Sequence, residues 1–198
     1  MTGSVFIKEY SAPTINRREI LRYMGVRAPS DNINALIDSC LTEISSLLAY
    51  RVCALISDVH INEKNIKCGG LEIHSSSLAS NLVECDKAAI FSATIGIGID
   101  RCISKYSRIS PSRAYCFQAI GAERIEQLCD MFNKEIKSEF GETAPRFSPG
   151  YGDLELSVQK DIFTLLNSQK NIGLTLTDTM IMSPSKSVTA FIGIKRKE

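Results

Sequence analysis

The sequence predicts an α+β fold, a twisted and largely antiparallel sheet flanked by helices. Three observations predict it: runs rich in β-branched residues, other stretches with apolar residues at helical spacing, and the mixing of the two without regular βαβ repetition.

The elements follow in chain order. SVFIKEY reads as extended, and Asn16, with Glu19 three residues on and Gly25 past Met24, caps a short amphipathic helix over 17–24. Ile33, Leu36, Ile37, Cys40, Leu41, Ile44, Leu47 and Leu48 follow the three-four spacing of one helical face, entered through Pro29-Ser30-Asp31. From Tyr50 the runs YRVCALIS, VHINEKNIKC and GGLEIHS predict two or three antiparallel strands. SSSLASNLVEC predicts a short helix. KAAIFSATIGIGID predicts a buried central strand that turns into a further helix through Arg101 to Tyr106. Ser110-Pro111 supplies an N-cap and a first-turn proline for a helix to about Phe140, roughly 45 Å long at 1.5 Å per residue. GETAPRFSPGYGDLEL reads as a loop, SVQKDIFTLLNS as a helix, and IGLTLT and SVTAFIGI as strands flanking the turn MSPSK. The final KRKE reads as a solvated tail.

A length of 198 residues and a 44% hydrophobic fraction suit one domain over 1–198, with a helical N-terminal part to about residue 50 and a core over 51–198. Basic residues exceed acidic ones by one, so no broad positive field invites nucleic acid. No apolar stretch approaches the roughly 20 residues of a membrane span. Seven cysteines stand singly with no C-x-x-C pair, the pattern of reduced, buried thiols in a cytoplasm rather than of a disulfide frame or a metal site. The expected location is cytoplasmic.

The chemistry concentrates in Arg146-Phe147-Ser148-Pro149-Gly150-Tyr151-Gly152. Arginine grips a carboxylate with a planar fork, glycine lets backbone approach a ligand, and tyrosine offers a ring face and a hydroxyl. Taken alone, those residues fit either a binding loop for an anionic, partly aromatic small molecule or a surface loop with a salt-bridged arginine and a capping tyrosine. Asp58-Val59-His60 resembles the start of the cobalamin-binding D-x-H-x-x-G motif, but Glu63 stands at the glycine position, so a strand histidine is the reading and the chain is not expected to hold cobalamin. Thr94-Ile95-Gly96-Ile97-Gly98 lacks the third glycine and the βαβ setting of a dinucleotide turn and reads as a strand-to-helix corner.

Arg146-x-x-x-Gly150-Tyr151 resembles the R-x-x-x-G-Y-P loop of the activation domain of vitamin B12-dependent methionine synthase. Ile172-Gly173-Leu174-Thr175-Leu176-Thr177-Asp178-Thr179, then Met182-Ser183-Pro184 and Ser187-Val188, are similar to that family's I-G-x-x-L-T-E-S, M-x-P and S-V elements, in the same order. Asp153 to Gln159 and Asn16 to Gly25 resemble short, free-standing members. Gly152 departs from the motif's proline, Asp178-Thr179 from Glu-Ser, and the chain stops soon after Ile194, where the large enzymes continue.

The resemblance implies a module that binds S-adenosylmethionine through Arg146, Gly150 and Tyr151 and supports reductive methylation of cob(II)alamin. Arg146 would take the methionine carboxylate, Gly150 would permit close approach, and Tyr151 would contact the ligand. It implies cobalamin only through a partner, a corrinoid-binding methionine synthase or methyltransferase subunit, with an electron donor such as a flavodoxin or ferredoxin. On that reading the chain is part of a methyltransferase system for methionine biosynthesis, with no catalytic acid, base or nucleophile and no metal of its own. The alternative is a non-enzymatic interaction subunit that caps a corrinoid protein without using S-adenosylmethionine.

Overall fold

The structure is a computed structural model, and it describes residues 3–196. Its frame is a six-stranded antiparallel sheet with β4-β3-β2-β5-β8 as its main path and β1 paired to β2. The strands are β1 (Phe6–Tyr10), β2 (Tyr50–Asn62), β3 (Asn65–Cys68), β4 (Leu71–His74), β5 (Cys85–Thr94) and β8 (Ser187–Lys195), while β6 (Thr175–Leu176) and β7 (Met182–Ser183) form a separate hairpin. The helices are α1 (Arg17–Tyr23), α2 (Asp31–Ile44), α3 (Ser76–Asn81), α4 (Gly98–Ile109), α5 (Pro111–Phe140), α6 (Val158–Leu166) and α7 (Ser168–Ile172). This is the expected α+β class.

Period two along the strands divides the interior into two cores. Val52 and Ala54 of β2, Ala89, Phe91 and Ala93 of β5, and Ala190 and Ile192 of β8 face α2, α4 and α5. Their neighbours Cys53, Leu55, Ala88, Ile90 and Phe191 face α3, α6 and α7. Both faces of β5 are therefore buried, which explains its nearly unbroken apolar run.

Several expectations change in detail. The runs YRVCALIS and VHINEKNIKC are not separated: β2 continues through both for 13 residues, because its first half pairs with β1 and β5 and its last four residues pair with β3. SVFIKEY pairs with β2 as β1, so a sheet strand lies within the N-terminal part expected to be helical. Ser110 precedes α5 without a side-chain cap bond, its hydroxyl lying 3.4 Å from that of Ser112. IGLTLT contributes only two strand residues, outside the main sheet. Of the terminal KRKE, Lys195 ends β8 and the Arg196 amide donates to the Glu84 carbonyl, and the rest lies outside the described residues.

The segment read as a loop after α5 is more ordered than its glycines and prolines suggest. Thr143 bridges Ile194 and Phe147 bridges Phe191, and the Ala144 amide donates to the Gly193 carbonyl at 2.8 Å. Residues 142–147 thus cover the outer edge of β8, which removes an exposed pairing edge and fixes where Arg146 stands.

Candidate functional site

Arg146 lies between Pro145 and Phe147 in that extended strip, and neighbouring side chains of an extended chain point to opposite faces. Phe147 packs on the core beneath α3 and α6, whereas Arg146 reaches α5, where its Nη2 donates to Glu126 Oε2 at 2.9 Å and lies 3.2 Å from Asp130 Oδ1. Its Nη1 is buried and has no hydrogen-bond partner among the described residues, an uncommon state for a buried donor.

The guanidinium forms one wall of a pocket of about 320 Å³, with Asn16, Glu19 and Tyr23 from the start of the chain and Glu126 and Asp130 from α5 also lining it. Glu123, Glu126, Gln127 and Asp130 recur at three- and four-residue steps, which puts them on one side of α5. Burial and the nearby Glu126 raise the Asp130 carboxyl above its ordinary range, with Lys134 opposing. Glu123 and Arg124 are almost wholly buried and paired at 2.5 Å, and Arg124 also donates to the carbonyls of Pro13 and Thr14 while Glu123 accepts from the Asn16 amide. This buried pair holds the entry to α1 against α5 and so builds the far wall of the pocket.

Gly150 and Tyr151 occupy a tight turn beyond Arg146. Gly150 has φ +93° and its amide donates to the Leu154 carbonyl at 2.8 Å, while Tyr151 is 65% exposed, with its ring 6.4 Å from that of Phe147 in an edge-on arrangement. The pocket that Arg146 lines includes neither residue. The structure keeps the three in one loop, but Arg146 faces α5 and Tyr151 packs near Phe147 on the other side of the strip.

The turn is anchored from outside. Asp153 accepts from the Ser75 hydroxyl at 2.6 Å and from the amides of Ser76 and Ser77, so its carboxylate sits at the start of α3. Gly152, at the motif's proline position, has φ +55°, which a proline ring cannot adopt, and a Cβ there would come 2.4 Å from Ser77 Oγ.

The remaining motif positions lie elsewhere. Asp178 and Thr179 are at the exposed tip of the β6–β7 hairpin, and Ser187 opens β8 with its hydroxyl donating to Thr94 Oγ1 at 2.8 Å. His60 is an exposed strand residue opposite Lys67. Gly98 serves packing, since an added Cβ would meet the Leu47 carbonyl oxygen at 2.2 Å, and Gly96 gives the strand-to-helix corner its left-handed φ of +81°. Among the described residues no group of three or more His, Cys, Asp or Glu could hold a metal, and all seven cysteines are free and buried.

Residues 78–197, more than half of the chain, match the family model of the vitamin B12 dependent methionine synthase, activation domain. The chain belongs to this family. The matched part of this activation-domain chain runs from α3 to the end of β8 and includes Arg146, Gly150 and Tyr151. A solved structure described as the MetH reactivation domain bound to AdoHcy aligns over 98% of the chain and 79% of its own length, with a TM-score of 0.73 and 14% identity. At that identity the likeness establishes a shared fold. No curated protein sequence matches. No described helix of this activation-domain chain is long and apolar enough to cross a membrane.

Sequence reasoning reached Arg146 but missed the acidic wall opposite it. The signal was present as polar residues at helical spacing on α5, where the apolar face drew the attention.

Proposed function

We propose that the chain works as one domain, the S-adenosylmethionine-binding activation module of a cobalamin-dependent methionine synthase system, and supports reductive methylation of cob(II)alamin on a partner corrinoid protein in the cytoplasm. The observation that carries the reading is Arg146, at the wall of a pocket, with a buried Nη1 that has no acceptor among the described residues. An S-adenosylmethionine carboxylate supplies such an acceptor and would use the guanidinium fork. The AdoHcy in the related solved domain supports a nucleoside ligand of this class.

On this reading the chain's residues bind and orient. Arg146 takes the carboxylate, the positive φ of Gly150 lets backbone pass close to the ligand, and the exposed Tyr151 ring offers a stacking face. S-adenosylmethionine would supply the methyl group to a partner corrinoid reduced by a flavodoxin- or ferredoxin-like donor, and would leave as S-adenosylhomocysteine once its sulfur–methyl bond breaks.

Calorimetry tests the reading directly. The parent should bind S-adenosylmethionine, Arg146→Lys more weakly, and Arg146→Ala at least about tenfold more weakly, since charge-assisted hydrogen bonds contribute roughly 1.5 to 3 kcal/mol each. A folded parent with no affinity for S-adenosylmethionine would instead point to an interaction subunit that caps a corrinoid protein. An Arg146→Ala variant that binds like the parent would remove Arg146 from the site.

A further inference from the structure

Away from the Arg146 pocket, two cysteines meet where α2 packs against α5. Cys40 of α2 and Cys116 of α5 belong to one core cluster and are wholly buried. Their thiols share a side-chain hydrogen bond, and Cys102 of α4 lies close enough to feel the charge of Cys40.

Residues one turn away fix the contact. Arg113, three residues before Cys116, donates from Nη1 to Ser39 Oγ at 2.9 Å and from Nη2 to Glu43 Oε2 at 2.6 Å, and Ser39 and Glu43 lie on either side of Cys40 along α2. Glu43 also accepts from Lys105 and Tyr106 of α4, so three helices are tied around the thiol pair. The side chains of Arg113 and Glu43 are 20% and 26% exposed and Ser39 is exposed, which puts the sulfurs one layer beneath the surface. A water-sized oxidant needs only side-chain motion to reach them.

The two thiols are not equivalent. The hydrogen bond from Cys116 and the Arg113 guanidinium hold the Cys40 thiol below its usual range, against burial and Glu43. The same hydrogen bond, together with burial, pushes the Cys116 thiol up. Cys40 thus carries the thiolate and Cys116 the proton.

We infer that Cys40 and Cys116 form a reversible disulfide in response to hydrogen peroxide, with Cys40 as the attacking thiol, and that it fastens α2 to α5. The Cys40 thiolate attacks one peroxide oxygen and the O–O bond breaks. The hydroxide that leaves takes up the proton Cys40 gave to solvent, and Cys40 becomes a sulfenic acid. The Cys116 sulfur then attacks the Cys40 sulfur: the S–S bond forms, the S–O bond breaks, and the leaving hydroxide takes the Cys116 proton. Two thiols and one peroxide give one disulfide and two waters, and a thiol reductant reverses the bond by exchange. The closed loop runs from 40 to 116, long enough for the cross-link to narrow the unfolded ensemble and raise stability.

The test treats the native full chain with hydrogen peroxide, without added thiol, and maps disulfides by mass spectrometry of non-reduced peptides. The peptides holding Cys40 and Cys116 should be joined, dithiothreitol should separate them, and the oxidised chain should unfold about 5 °C or more above the reduced one. Cys116→Ala should stop Cys40 at a sulfenic acid that dimedone traps, whereas Cys40→Ala should leave Cys116 reduced; the reverse order overturns the inference. The mapping on the parent decides the matter if either variant does not fold. A native chain that keeps all seven thiols, that carries Cys40 to sulfinic acid with Cys116 still reduced, or that joins either residue to Cys102 overturns it. A cross-link that forms only in urea, or that lowers the unfolding temperature, overturns it as well, because the packed helices would not accommodate the bond.

Discussion

At residue scale the turn after Arg146 depends on two positions, Gly152 and Asp153. Gly152 combines a left-handed φ of +55° with Ser77 atoms 2.4 and 2.8 Å from where a Cβ would stand. Gly152→Ala and Gly152→Pro should each lower stability by more than about 1 kcal/mol, the proline more, because its ring fixes φ near −65°. Thermal unfolding reads this, and a Gly152→Pro variant as stable as the parent would contradict the geometry of the turn. Asp153 is the other fixed point: the Ser75 hydroxyl and the Ser77 and Ser76 amides hold its carboxyl well below the usual carboxylate range. A folded-state value below the unfolded one gives a contribution that is full above about pH 4 and fades as the pH falls through the folded value. Asp153→Asn should therefore flatten the loss of stability in acid below pH 4, and it should leave the shape of the pH profile between 5 and 8 as in the parent.

At the scale of elements α5 carries both the packing and the pocket wall. Pro111 starts it, Gly141 with φ +109° ends it, and Phe117, Ile120, Leu128, Phe132 and Ile136 bury its apolar side. Its buried Glu123–Arg124 pair ties residues 13–16 to it, so the N-terminal segment is held by charge as well as by packing. Removing one partner of a buried pair typically costs about 3 to 5 kcal/mol, whereas an exposed pair contributes about 1 kcal/mol or less. Glu123→Leu should thus destabilise strongly, while Glu9→Ala, which breaks the exposed Arg51–Glu9 pair, should change little. Urea denaturation of the two variants provides the comparison, and similar small effects in both would show that the buried pair is not what holds α1 in place.

At the scale of the whole molecule the two cores share one sheet. Phe91 of β5 meets Phe132 of α5 with ring centroids 5.0 Å apart, and Phe191 of β8 is fully buried on the opposite face. Because the same strands carry both faces, loss of either core removes support from the other. Phe132→Ala and Phe191→Ala should each cost about 3 to 5 kcal/mol and each should lower a single unfolding transition. Two separable transitions by circular dichroism and tyrosine fluorescence would mean that the cores unfold independently and that the chain is not one cooperative unit.

The sequence by itself determined the α+β class, the long helix to Phe140, the buried strand β5, and the family that residues 78–197 match. These are legible because side-chain periodicity records which face of an element is buried, and because the motif residues are ordered along the chain. The tertiary structure decided the rest: the pairing of SVFIKEY with β2, the placement of residues 142–147 along β8, the separation of the β6–β7 hairpin from the main sheet, and the meeting of Arg146 with Glu126 and Asp130. Strand pairing uses backbone groups that every residue but proline shares, so side-chain identity does not name the partner strand. A pocket assembled from a strip, a helix 20 residues upstream and the start of the chain has no local signature, because only the packed sheet brings those three segments to one place.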